Sequence, residues 1–351
     1  MAQSAQNIVG NIDDARATTT KFEREQHEIV NGEVIAGKDI PFIAPTALKS
    51  RKNARRNIVG VAAAHPDIAR KGVLLRKFGQ RVIEATAGKR IHGTGAIPGG
   101  VNKALTRDER EALRADTYTM IGWARDAVTL VKQLHVANLG LYNSFGAFRS
   151  NLLSLVAADG ALDFYHGGIR ARDAQGKVFL DHVPYARYWD HITEEVKPWS
   201  YMKFPYLRAL GPEEGWYKVG PLARVQNCDH IPTPLADAER RELVDFGGGM
   251  PVHATLAFHW ARMIEMLFAA EEIKALLQDD DLLGDHLVVT GTRQQRGVGV
   301  IEAPRGTLIH HYRLDGNDQV LRANLIVSTT HNNQALNEAI RQVAKRYLDG
   351  R

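Results

Sequence analysis

The chain has 351 residues, of which 44% are hydrophobic and 24% charged, an ordinary balance for a globular protein with one large core or two closely packed ones. The formal net charge of +5 is small for 45 basic and 40 acidic residues, so charge alone does not indicate a nucleic-acid partner. No apolar run approaches the roughly 20 residues that span a bilayer, and the first ten residues lack the features of a secretion signal. We therefore expect a cytoplasmic protein without membrane contact.

The cysteine count restricts the chemistry most. Cys228 is the single cysteine, which excludes an internal disulfide and any metal site built from several thiolates of this chain. Cys228 and His230 suggest a nucleophile with a base, but side chains two residues apart seldom meet, so a thiol in a loop is the favoured interpretation. The histidines do not form a two-ligand face either, because His253 and His259 are six residues apart on an expected helix. We predict no metal-ligating residue.

The first half of the chain carries helical signals after a polar start. Residues 1–53 lack a sustained apolar period and are expected to form a weakly structured leader. Residues 67–85 have apolar side chains at helical spacing, and a glycine-rich loop follows. Thr106 and Glu109 form a capping-box pattern, which predicts the start of one long helix that reaches Val131.

The second half combines hairpin and helix signals. Alternating residues around Asp173–Gly176 predict a hairpin, and so do those around Asp315–Gly316. The segment 184–217 is rich in aromatics and proline and is interpreted as irregular, whereas 251–278 is expected to be a helix. We expect a further helix at the end of the sequence. The predicted fold class is mainly α with two small antiparallel β hairpins, an α+β body over 54–351.

Two short motifs have weak functional interpretations. The glycine-rich loop 93–100 could expose backbone N–H groups to a phosphate, but it lacks the Walker lysine–hydroxyl pair and the G-x-G-x-x-G spacing, so a structural turn is favoured. The basic run 51–56 could contact nucleic-acid phosphates, but it has no interleaved aromatics, and a solvated surface stretch is favoured.

A single arginine stands out near the end of the chain. Arg305 lies between Pro304 and Gly306, immediately before an expected strand. A guanidinium is always charged and rigid, so an arginine projected from such a turn suits anion recognition or the polarisation of a ligand. Taken alone, a surface arginine after a turn is the commoner case.

Five segments occur in the order of a known family. They are ARRNIVGVAAAHPDIARKGVLLRKFGQ (54–80), GKRIHGTGAIPGGVNK (88–103), VGPLARVQ (219–226), GVGVIEAPRGTLIHHY (297–312) and LIVSTTHNNQALN (325–337). Together they resemble the large subunit of nickel–iron hydrogenases, most closely the soluble, bidirectional, NAD-reducing group. The resemblance runs from Ala54 to the last residue, and the family pattern is truncated at both ends.

The resemblance implies a particular active site. In that family a nickel and an iron are bridged by thiolates, and the iron carries carbon monoxide and cyanide. Arg305 would lie over this centre as a base or as an orienting charge, with Pro304 shaping the pocket. Thr329 or Thr330 would donate a hydrogen bond to a cyanide. His92 and His310 match family positions of less certain role.

One departure from the family pattern is severe. The family binds its metals through one C-x-x-C pair near each end, because soft thiolates select and bridge nickel and iron. Neither pair is present, and Cys228 occupies no ligand position. By itself the chain is therefore expected to bind no nickel–iron centre.

The favoured function is that of a part of a catalytic large subunit, which catalyses reversible oxidation of H2. Its implied partners are an iron–sulfur small subunit, with a diaphorase module reached through it that carries flavin and NAD. The alternative is a metal-free relative that acts as a structural or assembly partner. A nucleic-acid-binding protein ranks last. Such a fragment would expose apolar surface and is expected to be poorly soluble when expressed alone.

Overall fold

The computed structural model of the chain describes residues 62–348. The expected leader 1–53 and the basic run 51–56 lie outside the described residues. One compact unit comprises Ile68–Val343, and the other comprises Met1–Asp67 with Ala344–Arg351, of which 62–67 and 344–348 are described. The fold given below is that of the unit Ile68–Val343.

The first part of this unit is helical. Helix α1 spans Pro66–Ala87, α2 Arg107–Arg114, α3 Thr117–Ala137 and α4 Leu139–Tyr142, and the loop after α1 contains the two-residue strands β1, Ala96–Ile97, and β2, Gly100–Val101. The capping box is present, because Thr106 Oγ1 accepts the Glu109 N–H at 3.2 Å and the Glu109 carboxylate accepts the Thr106 N–H at 2.9 Å.

The prediction of one long helix after Thr106 was wrong. Helix α2 ends at Arg114, and α3 begins at Thr117. At the break the Asp116 N–H bonds to the Leu113 carbonyl, a tighter step than the α-helical one. The Asp116 carboxylate accepts from Arg81 of α1 at 2.6 Å, so a contact between elements fixes the break.

A four-stranded sheet forms the centre of the β structure. It contains β3, Asn151–Val156, β4, Gly168–Arg172, β5, Val178–Val183, and β8, Tyr217–Lys218, in the order β5-β4-β3-β8. The first predicted hairpin is β4–β5, whose turn is held by Asp173 Oδ1, which accepts the Gln175 and Lys177 N–H groups. Every residue of β3 is buried, so this hairpin is part of a larger sheet than the sequence indicated.

The segment 184–217 is more regular than predicted. It forms a 3-10 helix at Tyr185–Asp190, strand β6, Ile192–Val196, strand β7, Lys203–Leu207, a 3-10 turn at Arg208–Leu210 and helix α5, Gly211–Glu214. Strands β6 and β7 pair antiparallel, with Pro205 opposite Glu194. In a two-stranded sheet each strand has a free edge, which tolerates a proline that a central strand would exclude. The proline therefore misled the interpretation of this segment as irregular.

Three helices follow, α6, Pro221–Asn227, α7, Pro234–Phe246, and α8, Ala257–Leu276. Helix α8 begins at Ala257 rather than at the predicted Pro251, so His253 lies outside it. Helices α3, α6, α7 and α8 share one core, which includes Val128, Leu222 and Ile264. Helix α6 is buried along its whole length.

The last part is a three-stranded antiparallel sheet with two helices. After a 3-10 turn at Asp280–Leu283 come β9, Arg296–Ala303, β10, Gly306–Leu314, β11, Val320–Ile326, α9, Ser328–His331, and α10, Asn333–Tyr347. The second predicted hairpin is β10–β11, and β9 adds a third strand in the order β11-β10-β9. The predicted α+β class is confirmed, with more strands than two hairpins. No helix within 62–348 has both the length and the apolarity to cross a membrane.

Candidate functional site

The candidate site is the tight turn between β9 and β10. Gly306 has a φ of +129°, and a Cβ on it would lie 2.7 Å from the Gly220 backbone nitrogen and against Val219. A side chain is therefore excluded both by conformation and by space. The sequence motifs 219–226 and 297–312, which are far apart in the chain, meet at this glycine.

A buried ion-pair network lies beneath the turn. Arg224 of α6 is 2% exposed, and its guanidinium donates to both oxygens of Glu265 at 2.5 and 2.8 Å. Its Nη1 donates to Glu302 Oε2 at 2.8 Å and to the Ala303 carbonyl at 2.7 Å. A fork of five donors matches these acceptors, which a lysine would not do. The network ties α6 and α8 to the end of β9.

Glu302 completes this network from the sheet side. Its Oε1 accepts the Leu155 N–H of β3 at 3.0 Å and the Thr307 hydroxyl at 2.7 Å. Burial raises the pKa of Glu302, and the neighbouring Arg224 opposes that shift. Since the carboxylate is enclosed by three donors, Glu302 positions the turn and is closed to a ligand.

The third motif reaches the same point through α9. The Ser328 hydroxyl donates to the Gly306 carbonyl at 2.6 Å, and Asn332 Oδ1 accepts the Val219 N–H at 3.0 Å. Thr329 is exposed and Thr330 is half-buried on this helix. The structure thus brings the segments of all four predicted site residues together, the turn with Pro304 and Arg305 and the helix with Thr329 and Thr330.

The turn presents Arg305 outward. Pro304 and Arg305 are exposed, and the Pro304 carbonyl accepts from Arg262 Nη1 at 2.9 Å. Within residues 62–348 no side chain forms a hydrogen bond or an ion pair with the Arg305 guanidinium. A fixed, unpaired positive charge is therefore available to a group that approaches the turn.

The two histidines of less certain role lie elsewhere. His92 is exposed in the loop after α1 with a φ of +53°. His310 is half-buried on β10, where its Nδ1 lies 3.3 Å from the Tyr312 hydroxyl. Neither forms a hydrogen bond to the turn in the part of the chain that the structure describes.

Several residues around the site were not predicted. They are Arg224, Glu265, Glu302, Ser328 and Asn332, together with a buried pair in which the Tyr217 hydroxyl lies 2.6 Å from His331 Nδ1. Burial lowers the pKa of His331 to about 3, so its ring is neutral. A charged residue within an apolar stretch, such as Arg224 in PLARVQ, is the available sequence signal, but it does not identify the partner.

The residues present do not fit a nickel–iron centre as its ligands. Cys228, the single thiol, lies at the end of α6, is 1% exposed and donates to the Val225 carbonyl. Burial raises its pKa to about 11, which disfavours the thiolate that a metal requires. Within 62–348 no group of three or more His, Cys, Asp or Glu side chains is placed to hold a metal ion. The turn and α9 form a protein wall without metal ligands.

The fold is that of nickel-containing hydrogenases. A [NiFeSe]-hydrogenase from Dm. baculatum superposes with a TM-score of 0.62 at 17% identity, over 85% of this chain and 64% of that one, which shows the fold alone. An NAD+-reducing [NiFe]-hydrogenase in the H2-reduced state superposes with a TM-score of 0.82 at 51% identity, over 85% of this chain and 66% of that one.

Sequence comparison identifies the family. The NAD-reducing hydrogenase HoxS subunit beta of Cupriavidus necator is 42% identical over 306 residues, 85% of this chain and 62% of that protein. A vhu subunit of the F420-non-reducing hydrogenase of Methanocaldococcus jannaschii is 42% identical over 83% of this chain and 69% of its own length. No family model matches. The chain belongs to the nickel–iron hydrogenase large-subunit family, as its motifs predicted, and it spans about three-fifths of the Cupriavidus relative.

Proposed function

We propose that this chain is part of the catalytic large subunit of a nickel–iron hydrogenase, which oxidises H2 reversibly. One observation carries the proposal: the segments 219–226, 297–312 and 325–337 converge on the Arg305 turn through Gly306, the Arg224–Glu302 ion pair and the Ser328 hydrogen bond. A centre with carbon monoxide and cyanide on its iron would lie against this wall, with its thiolates supplied from outside this sequence.

Arg305, Pro304, Thr329 and Thr330 have distinct proposed roles. The Arg305 guanidinium is too basic to give up its proton readily, so it acts as an orienting positive charge more readily than as a base. Pro304 stiffens the turn, since its ring fixes φ. The Thr329 or Thr330 hydroxyl is the proposed hydrogen-bond donor to a cyanide. Each role requires a side chain at a fixed place, which the buried network provides.

The proposed partners are an iron–sulfur small subunit, with a diaphorase module reached through it, in the cytoplasm. NAD would not contact this chain. The proposal is supported by the Cupriavidus relative, which is a component of an NAD-reducing hydrogenase. Trp199 and Tyr201 are 65% and 97% exposed, and aromatic side chains of this kind are enriched at protein interfaces.

The first experiment distinguishes this proposal from the alternative of a metal-free relative, which the single buried Cys228 favours. The gene product is purified from its native host with the chains that accompany it, and its intact mass, nickel content and H2-dependent viologen reduction are measured. Nickel at about one per large subunit, with activity, supports the catalytic role. A 38.9 kDa product without nickel or activity would make the chain a structural partner.

A second experiment tests the role of Arg305. Since Arg305 is exposed, Arg305→Ala should leave the unfolding midpoint unchanged but lower kcat for H2 oxidation at least a hundredfold, the scale of losing one oriented charge or donor. Arg125→Ala is the matched control, because Arg125 is also exposed but lies on α3. Equal activity of the two variants would refute the role of Arg305.

A further inference from the structure

Three arginines stand side by side across the last sheet. Arg313 of β10 is directly opposite Arg296 of β9 and directly opposite Arg322 of β11. Opposed residues on antiparallel strands project to the same face with Cβ atoms about 5 Å apart, and like charges in this position are destabilising. We call Arg296, Arg313 and Arg322 the arginine row. Such a row indicates a compensating anion.

The arginine row lines a cleft of about 790 Å3. Strand β6 and the 3-10 helix Tyr185–Asp190 contribute to its other walls, and Lys203 and Arg208 add two more cations. Among the lining residues Glu194 is the single carboxylate, and it is paired with Lys203 at 3.3 Å. Within 62–348 no carboxylate forms an ion pair with the arginine row. The volume falls in the range of about 300–1,000 Å3 that is typical of small-molecule sites.

A hydrogen-bond chain leaves one donor free in the cleft. Arg296 Nε donates to His311 Nε2 at 3.0 Å, and since a guanidinium cannot accept, Nε2 must be the acceptor. His311 Nδ1 then carries the proton and donates to the Tyr188 hydroxyl at 3.1 Å, which also accepts from Asn324 at 3.1 Å. The Tyr188 O–H has no acceptor within the described residues.

This free donor is fixed in place. Tyr188 is 3% exposed and lines the cleft, so its hydroxyl can reach a bound ligand but little bulk water. The Arg296 guanidinium lies 4.0 Å from the centre of the Trp189 ring, which holds one end of the arginine row rigid. The cleft therefore offers oriented donors and positive charge without matching acceptors.

We propose that this cleft binds a small ligand with two or more phosphate or carboxylate groups. The planar guanidinium groups match such oxyanions in bidentate geometry, and the Tyr188 hydroxyl donates to one of their oxygens. The ligand relieves the repulsion within the arginine row. The site lies on the β9–β11 sheet and does not depend on the proposed hydrogenase activity.

The test is calorimetric titration of the full chain, purified with the chains that accompany it, in about 50 mM salt. The probes are tripolyphosphate, citrate and orthophosphate. Tripolyphosphate or citrate should bind once per chain and at least tenfold more tightly than orthophosphate, and the tighter of the two identifies a phosphate or a carboxylate ligand. Because the contacts are ionic, affinity should fall steeply as salt is raised.

Variants connect the binding to the named residues. Arg313→Gln removes the centre of the row and should weaken the tighter probe at least tenfold, whereas Arg125→Gln on α3 should not change it. Tyr188→Phe keeps the ring and should weaken binding several-fold without changing its salt dependence. Arg322→Gln serves in place of Arg313→Gln if that variant fails to fold.

Three outcomes would overturn the proposal. The first is no binding of tripolyphosphate or citrate, which would make the arginine row a solvated face. The second is an equal loss of affinity in Arg125→Gln, which would indicate non-specific charge attraction. The third is a ten-residue polyglutamate peptide that binds far more tightly than either small anion, because the cleft would then be a docking groove for an acidic segment.

Discussion

Replacing Glu302 by glutamine should loosen the turn that carries Arg305. The Glu302 carboxylate accepts from three donors, the Leu155 N–H and the Thr307 hydroxyl at Oε1 and Arg224 Nη1 at Oε2. A glutamine has one oxygen, so its NH2 group must face a donor on one of the two sides. The variant therefore loses at least one hydrogen bond and places two donors against each other in a buried site.

The size of the effect follows from burial. The Glu302 and Arg224 side chains are 0% and 2% exposed, and breaking a hydrogen bond to a buried charged group costs about 1.5–3 kcal/mol. Arg224 keeps both bonds to Glu265, and the cost of burying the Glu302 charge, which raises the pKa of its carboxyl, disappears. We therefore expect a loss of about 2 kcal/mol in the free energy of unfolding, from the lower part of that range.

Urea denaturation and hydrogen exchange test this expectation together. Glu302→Gln should lower the unfolding midpoint and speed exchange in a peptide that covers 303–307. The control Glu111→Gln, an exposed residue of α2, should change the free energy of unfolding by less than about 0.5 kcal/mol. If Glu302→Gln matched this control, or lost stability without faster exchange at the turn, the network would not hold the turn.

Two further predictions concern buried polar groups. Ser328→Ala leaves the Gly306 carbonyl without its donor and should lower the free energy of unfolding by about 1–2 kcal/mol in urea denaturation; an unchanged midpoint would contradict this role. Lys218 donates to the Phe148 and His253 carbonyls, and burial lowers its pKa to about 7. Because the unfolded chain keeps the lysine proton up to about pH 10.4, the free energy of unfolding should rise with pH above 7, by about 1.5 kcal/mol between pH 7 and 8.5. Lys218→Met should flatten that rise, and an equal slope in both proteins would refute it.

Local signals predicted the elements that depend on neighbouring residues. Thr106 and Glu109 are three residues apart and cap α2 as expected, and Asp173 accepts backbone N–H groups within its own turn. Such signals act within one turn of the chain, so they survive whatever packs against them. The same signals failed at Ala115–Asp116 and at the β6–β7 hairpin, where contacts with other elements decide the backbone.

The family and the missing thiolates were also determined by the sequence. Five ordered segments specified the family, which the relatives confirm. One cysteine in 351 residues fixes what the chain can ligate, because packing cannot create a thiolate that composition does not supply.

The tertiary structure decided which residues act together. Arg224 and Glu302 are separated by 78 positions, and no local pattern pairs them. The arginine row depends on strand register, since a shift of one residue would turn each side chain to the opposite face. Buried charge pairs and cross-strand rows depend on long-range contacts, whose partners are selected by the packing of the whole unit.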